Sequence, residues 1–354
     1  MSRHNLSTFI AAVVVLSLLS ACEQVPATDP GFPPTTSSPA PATWYNLYFT
    51  EPAPEDPTGG IPEAVAASFD AAQQTIDVAV YEFNLPSLSE ALVRAARRGV
   101  RVRVVTDSDS LVEQAILDLL AANIPVVEDE RSAIMHDKFA VIDGGLVWTG
   151  SMNFTENDAY RNNNNFISIR STRLAQNYTA EFEEMFTGRA FGPTSPANTP
   201  NASVTVDGAR IENYFSPDDG VAAHILDALR SAQSSIHFMA FSFTRQDFAE
   251  ALIERAEAGV AVRGVFERRQ IAAGGDAAWN ALTAAGLDVR QDGNKYNLHS
   301  KVFIVDQQIV VTGSYNFSRN AEENNDENVL ILHNPEIAAA YLAEWEKVWA
   351  QAGN

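Results

Sequence analysis

Two histidine–lysine pairs are the residues of this chain whose types and spacing best suit chemistry. His136 and Lys138 stand two positions apart, and His299 and Lys301 repeat that spacing. On a strand, this spacing places both side chains on one face. An imidazole beside an ammonium is a costly pair in a core because it buries charge, whereas the two groups together suit the binding of a phosphate and proton transfer to it. The pairs therefore indicate a phosphate site.

The residues that follow each pair also repeat at one spacing. Four residues separate the lysine from an aspartate, and a Gly-Ser-x-Asn turn comes after a further six. The aspartate, serine and asparagine are Asp143, Ser151 and Asn153 in the first copy and Asp306, Ser314 and Asn316 in the second. The turn offers hydroxyl, amide and backbone donors to phosphate oxygens. One copy alone could be a core histidine near a surface lysine, but two matched copies favour a single site with two histidines.

The motifs lie inside a longer repeat with an offset of 160 residues. Residues 74–81 resemble residues 234–241, and each apolar segment precedes a predicted helix, 87–98 or 247–258. A glycine follows each helix, as is common at helix C-termini, and a second apolar strand comes next. Strand, helix and strand at this spacing predict a βαβ unit. The expected fold class is α/β, with mostly parallel central sheets flanked by helices.

The repeat divides most of the chain into two halves. We expect the halves to span residues 44–191 and 209–354, joined by residues 192–208, which include several prolines. We also expect them to pack as a pseudo-twofold dimer, so that both motif copies face one substrate. Because both copies lie in one chain, a monomer would hold a complete site.

The first residues are predicted to direct the protein to the cell envelope. Residues 1–21 have a basic start and a short apolar run, which is typical of a signal peptide. The Leu-Ser-Ala-Cys sequence that ends at Cys22 resembles the lipobox of bacterial lipoproteins, although a secretory signal with a chance cysteine is an alternative. Residues 22–43 are rich in Pro, Ser and Thr and are interpreted as a tether. Glu23 favours the outer membrane in a Gram-negative host.

The duplicated motif resembles that of the phospholipase D superfamily, and the resemblance covers residues 44–354. It implies a phosphodiesterase that needs no metal or other cofactor. One histidine would attack phosphorus and form a phosphohistidine, and the other would protonate the leaving alcohol. By the same resemblance, the phosphate is bound by Lys138, Lys301, Asn153 and Asn316, with help from Ser151 and Ser314. Asp143 and Asp306 would be mainly structural, and Asp107 and Asp109 are interpreted as strand-end residues, not metal ligands.

The resemblance also implies that a carboxylate further along the chain holds a catalytic imidazole, which suggests different roles for the two histidines. Glu327 lies 28 residues after His299, and the matching position after His136 is Asn164. A carboxylate partner raises the pKa of a histidine and favours the imidazolium, whereas an amide only orients the ring. We therefore predict that His299, paired with Glu327, is the general acid and that His136 is the nucleophile. The alternative is that Glu327 is a strand-end charge without this role.

The overall charge bears on the substrate. The formal net charge of −21 repels DNA, RNA and anionic lipid surfaces over long range. We predict a phospholipid substrate, cut at its distal phosphodiester, because the tether at Cys22 would hold the site near lipid. The alternative is an envelope endonuclease of the same superfamily that cuts DNA or RNA, since residues 80–83 resemble bacterial nucleases of this group. A non-catalytic phosphate-binding protein is disfavoured by the two intact motifs.

Overall fold

The fold is seen in a computed structural model that describes residues 43–52, 60–275 and 277–353. The predicted signal peptide, Cys22 and residues 22–42 of the predicted tether lie outside the described residues. Within the described ranges, no helix is long and apolar enough to cross a membrane.

The first half forms a seven-stranded sheet with helices around it. Its strands are β1 (Tyr45–Phe49), β2 (Thr75–Val80), β3 (Arg101–Thr106), β4 (Val126–Glu128), β5 (Lys138–Ile142), β6 (Leu146–Gly150) and β7 (Asn165–Arg170). Its helices are α1 (Ile61–Ala71), α2 (Pro86–Arg97), α3 (Gln114–Ala121), α4 (Glu156–Tyr160) and α5 (Thr172–Phe186). The strand order is β1-β7-β6-β5-β2-β3-β4. The predicted helix 87–98 is confirmed as α2, which ends before Gly99, whose φ of 91° is left-handed.

The second half repeats this arrangement in an eight-stranded sheet. Its strands are β8 (Ser203–Val206), β9 (Ala209–Ser216), β10 (Ser235–Ala240), β11 (Ala261–Phe266), β12 (Asp288–Gln291), β13 (Lys301–Val305), β14 (Ile309–Gly313) and β15 (Glu327–His333). Its helices are α6 (Val221–Arg230), α7 (Gln246–Glu257), α8 (Arg268–Ala272), α9 (Ala277–Ala284), α10 (Arg319–Glu323) and α11 (Pro335–Gln351). The order is β12-β11-β10-β13-β14-β15-β9-β8. The segment predicted to join the halves contains β8, which pairs with β9.

Each sheet combines parallel and antiparallel pairs. β2 and β3 are parallel with α2 between them, and β10 and β11 repeat this with α7, so the predicted βαβ units and the α/β class are confirmed. The strands that follow the motifs, β5 to β7 and β13 to β15, pair antiparallel. The prediction of mostly parallel sheets was therefore wrong. The three residues 143–145 between β5 and β6 are too few for a parallel crossover.

Helices cover both outer faces of the sheets and fill the space between them. α1, α2 and α3 pack on the first sheet in one apolar cluster, and α6, α7 and α9 pack on the second sheet in another. A third cluster joins the inner faces of both sheets through α5 and α11, where Tyr178 and Tyr341 are fully buried. This shared core fixes the two halves against each other, and with them the ends of β5 and β13, where the motifs lie.

Candidate active site

The two motif histidines lie at the junction of the halves. His136 stands two residues before β5, and His299 stands two residues before β13. The main-chain N–H of His136 donates to the carbonyl of Asp326 in the second half at 2.9 Å, and that of His299 donates to the carbonyl of Asn163 in the first half at 3.0 Å. Each histidine is thus positioned by the half to which it does not belong.

One cavity of about 500 Å³ receives both imidazoles. The side chains of His136 and His299 line it together with those of Asn153 and Asn316, so the structure brings both motif copies to one place. An aromatic residue packs on each histidine: the Tyr81 ring centre lies 5.2 Å from that of His136, and the Phe241 ring centre lies 4.6 Å from that of His299. These rings restrict how each imidazole can turn.

The two motif lysines are buried beside the histidines. Lys138 Nζ donates to the carbonyl of His136 at 2.6 Å, and Lys301 Nζ donates to the carbonyl of His299 at 2.7 Å. Burial lowers the pKa of Lys138 to about 8. Burial and the neighbouring charge of Lys138 hold the pKa of Lys301 well below its usual range. An anion beside the two ammonium groups would raise both pKa values, so this pair is suited to a bound phosphate.

Glu327 contacts the other histidine from the one predicted. Its Oε2 lies 2.7 Å from Nδ1 of His136, and the side chain is fully buried. The predicted pair of Glu327 with His299 is therefore wrong. The first residue of β15 reaches across the junction because the backbone of Asp326 already pairs with that of His136. Burial raises the pKa of Glu327 to about 8, against the lowering effect of Lys138 and Lys301.

Asn164 correspondingly holds His299, with a carboxylate close by. His299 Nδ1 donates to Asn164 Oδ1 at 3.0 Å and lies 3.4 Å from Asp158 Oδ2. The amide orientation is defined, since Asn164 Oδ1 accepts from the Ser151 hydroxyl and its Nδ2 donates to the carbonyl of Asp158. Sequence reasoning missed Asp158. The available signal was its position in the repeat, where the second half has Ala321 in place of a carboxylate.

The serines of the Gly-Ser-x-Asn turns stabilise the turns themselves. Ser151 Oγ accepts from the N–H of Asn165, and Ser314 Oγ accepts from that of Asn328. Both serines are buried, and neither lines the cavity, so their help in phosphate binding stays a prediction. The glycines are required by close approach. A Cβ on Gly313, whose φ is 149°, would lie 2.1 Å from the carbonyl oxygen of Asn328.

The motif aspartates accept main-chain hydrogen bonds, and their mainly structural role stays a prediction. Asp143, with a φ of 50°, accepts hydrogen bonds from the N–H groups of residues 73–75 ahead of β2. Asp306 does the same for residues 233–235 ahead of β10. Asp107 accepts from the N–H groups of Asp109 and Met135. In the described part of the chain, no group of three or more His, Cys, Asp or Glu side chains is arranged to hold a metal ion.

The chain matches a known protein family in both halves. A family model described as "Cardiolipin synthase, PLD-like domain" matches residues 65–186 and again residues 225–349, once in each half. The chain belongs to this phospholipase D-like family. The family model matches two repeats in one chain, and the cavity lies where the two matched segments meet.

Individual relatives agree with the family. Mitochondrial cardiolipin hydrolase from Xenopus laevis is 39% identical over 117 residues, which are 32% of this chain and 56% of that protein. Phospholipase D from Rickettsia conorii is 31% identical over 137 residues, 39% of this chain and 68% of that one. Phosphatidylserine synthase from Haemophilus influenzae is 14% identical, covers 82% of this chain and 83% of its own, and has a TM-score of 0.61, which shows a shared fold. The chain spans about half the length of most of the cardiolipin hydrolases it matches.

Proposed function

We propose that this chain is a phosphodiesterase that hydrolyses the distal phosphodiester of a phospholipid to phosphatidate and the head-group alcohol. One observation carries the proposal: two buried histidines from opposite halves line a single cavity, each with its Nδ1 already in a hydrogen bond. The Nε2 atoms remain for the substrate. Displacement at phosphorus needs one such nitrogen as nucleophile and one as acid. Both histidines belong to one chain, so we expect a monomer to be active.

In the proposed first step, His136 is the nucleophile. Its Nε2 forms a bond to phosphorus while the bond to the alcohol oxygen breaks, and His299 gives its Nε2 proton to that oxygen. The phosphorylated imidazole is cationic, and Glu327, 2.7 Å from Nδ1, stabilises it once ionised. Glu327 does not pair with His299, so that pair is no ground for these roles. His136 is assigned as the nucleophile because Glu327 can support its cationic intermediate.

In the second step, water replaces the alcohol. His299, now neutral, takes a proton from the water as its oxygen attacks phosphorus, and the bond to His136 breaks with its electron pair returning to Nε2. The step releases phosphatidate, and both histidines return to their original protonation states. Lys138 and Lys301, with Asn153 and Asn316, would balance the negative charge on the phosphate oxygens in both transition states.

The charge around the cavity favours a lipid. Glu82, Glu113 and Asp158 line its first-half side, and the net charge of the chain is −21. The neighbouring phosphates of a nucleic-acid strand would be repelled there, whereas a phospholipid brings one phosphate to the site and, in a zwitterionic head group, an ammonium as well.

Basic residues at the edge of the cavity favour a nuclease as the second candidate. The charged groups of Arg161 and Lys295 each lie 5.7 Å from the ring centre of Tyr296. Arg269 donates to Asn297, which lines the cavity. Cations beside an aromatic ring suit a single-stranded polynucleotide, whose bases stack and whose backbone is anionic.

Turnover by the purified full chain in the presence of EDTA tests the proposal. The substrates are vesicles of phosphatidylcholine or phosphatidylethanolamine and, separately, a single-stranded DNA oligonucleotide. We expect release of phosphatidate by the wild type and by His224→Ala, a histidine outside the cavity, and none by His136→Ala. Rapid denaturation in mildly alkaline detergent during turnover should trap a phosphatidyl adduct on His136, because the P–N bond is labile in acid.

Other outcomes of this experiment decide against the proposal. Cleavage of DNA without hydrolysis of lipid would favour the second candidate. Equal turnover by His136→Ala would reject the mechanism for both substrates, and an adduct on His299 would reverse the roles of the two histidines.

The proposal includes a lipid anchor at Cys22, which would hold the cavity near its substrate in the outer membrane of a Gram-negative host. Two or three acyl chains bind a bilayer firmly. Cys22→Ala should therefore be absent from the membrane fraction of the producing cells. Retention of this variant in that fraction would contradict the anchor.

A further inference from the structure

Asp158 gives the first half a carboxylate that its motif lacks. The motif copies are offset by 163 residues, which aligns Glu327 with Asn164 and Asp158 with Ala321. α4 and α10 also correspond, since the capping hydroxyl of Thr155 accepts from the N–H of Asp158 and that of Ser318 accepts from the N–H of Ala321. Each half thus holds one carboxylate beside the histidine of the other half, and the two carboxylates stand at different positions of the repeat.

The carboxylate of Asp158 is fixed against His299. Its Oδ2 lies 3.4 Å from His299 Nδ1 and accepts from the main-chain N–H of Asn153 at 2.8 Å, while its Oδ1 accepts from the Asn162 amide. Only 3% of the residue is exposed. The protein groups that donate to it are neutral. The charges of Lys301 and Lys138 also act on it, and among the described residues neither lysine forms an ion pair with it. The charge of Asp158 is directed at the imidazole.

The groups that face His299 otherwise disfavour the imidazolium. Burial has the largest effect in lowering the pKa of His299, and the charges of Lys301, Lys138 and His136 lower it further, so that it lies well below the usual range. The charge of Asp158 acts in the opposite sense. Burial also raises the pKa of Asp158, but its contact with His299 and its hydrogen bonds hold it below the usual value, so the carboxylate stays ionised.

We propose that Asp158 is a positioning residue that keeps His299 in the imidazolium form in which it protonates the leaving alcohol. Asn164 orients the ring and Asp158 supplies the charge, two tasks that Glu327 performs alone for His136. The inference rests on the proposed function, because it concerns the proton that leaves with the alcohol.

The leaving group separates this role from a structural one. An alkanol leaves only with a proton, whereas 4-nitrophenolate leaves without one, so loss of the general acid should affect only the first. The test compares Asp158→Asn with the wild type on the phospholipid that the wild type cleaves and on bis(4-nitrophenyl) phosphate. Glu156→Gln, which removes an exposed negative charge from the same helix, is the matched control.

We expect Asp158→Asn to lose about 100-fold in kcat on the phospholipid and less than about 3-fold on the nitrophenyl ester. The alkaline limb of its pH–rate profile on the phospholipid should move to lower pH by about one unit, because an opposite charge has been removed from His299. Glu156→Gln should match the wild type. Adding N164D to Asp158→Asn should recover much of the loss, since it places a carboxylate within 3.0 Å of Nδ1.

Equal losses on both substrates, or an unmoved alkaline limb, would overturn the role of Asp158 while leaving the proposed function intact. A wild type that cleaves neither substrate would instead reject the proposed function, and this role with it. Should Asp158→Asn fail to fold, N164D alone decides the matter: it must move the alkaline limb of the phospholipid profile to higher pH.

Discussion

Two carboxylates act on two histidines with different strength. Glu327 lies 2.7 Å from His136 Nδ1 and has a pKa raised by burial to about 8, so near neutral pH it competes with the imidazole for one proton. Asp158 lies 3.4 Å from His299 Nδ1, and its pKa is below the usual value. When Glu327 is ionised, it accepts the Nδ1 proton and leaves His136 Nε2 free to attack. Asp158 favours a proton on His299. The motif copies are equal in spacing and unequal in electrostatics.

Removing the charge of Glu327 should slow turnover more than it weakens binding. Glu327→Gln keeps a hydrogen-bond partner for His136 but leaves the cationic phosphohistidine without a counter-charge. We expect kcat to fall by about 100-fold or more, with a smaller change in KM, as measured by steady-state kinetics with a rapid-quench assay of the adduct. Glu323→Gln, an exposed residue of α10, is the control. A wild-type kcat for Glu327→Gln would show that this carboxylate does not support the intermediate.

The residues of the site could be predicted from the sequence, but their partners could not. Repeated spacing identified His136 and His299, and the family resemblance led to the position of Glu327. Which histidine a carboxylate reaches depends on how the halves pack, and the residue before Glu327 pairs its backbone with His136 in the other half. Asp158 has no fixed spacing from the histidine that it serves, since 141 positions separate them. The fold, not the motif, brings them together.

At the scale of the elements, the turn after β5 carries a motif aspartate that serves the sheet. Asp143 accepts three main-chain hydrogen bonds at 2.7 to 2.9 Å from residues 73–75, which fixes the start of β2 beside β5. These hydrogen bonds lower the pKa of Asp143, against the effect of burial, so the ionised form stabilises the fold. The contribution is present above the unfolded pKa and is lost as the pH falls through the lowered folded value.

Asp143→Ala should therefore reduce stability without changing catalysis. We expect the free energy of unfolding at pH 7 to fall by about 1–3 kcal/mol, because three N–H groups lose their acceptor. The value of kcat/KM should stay within about 2-fold of the wild type. Urea unfolding and the phospholipid assay check the two expectations, with Asp118→Ala, an exposed residue of α3, as the control. A loss of kcat/KM in a fully folded Asp143→Ala would assign the motif aspartate a part in the chemistry.

The prediction of the elements succeeded where contacts are local. Helix α2 and the strands on either side follow from apolar runs and from a terminating glycine. The antiparallel strands β5 to β7 are as apolar as the parallel ones, because all are buried, and a continuous apolar run does not indicate direction. Direction follows from the length of the connection, and the short link of residues 143–145 was the available sign.

At the scale of the whole molecule, acidic side chains collect behind the site where the halves meet. Burial is the largest cause that raises the pKa of Asp137 to about 7 and that of Asp326 to about 8. It likewise raises the pKa of Asp218 to about 7 and that of Glu184 to about 8, and neighbouring carboxylates add to the shift. Glu183, one residue before Glu184 on α5, has a lowered pKa because Arg103 pairs with it.

These raised values make stability depend on pH in a defined direction. A carboxyl group whose folded pKa exceeds its unfolded value contributes stability that is complete below the unfolded pKa, near 4, and lost as the pH rises through the folded pKa. For Glu184 this loss extends from about pH 4 to about pH 8 and so includes the interval between pH 6.5 and pH 8. The buried lysines act in the opposite sense there, so variants at the carboxylates test the effect most directly.

Between pH 6.5 and pH 8, we expect the melting temperature of Glu184→Gln to fall less than that of the wild type. The difference corresponds to up to about 1 kcal/mol in the free energy of unfolding. Glu183 is ionised in both the folded and the unfolded state throughout this interval. The melting temperature of Glu183→Gln should therefore fall as much as that of the wild type. The same fall in all three proteins, measured by calorimetry, would show that Glu184 is ionised in the folded protein throughout this interval.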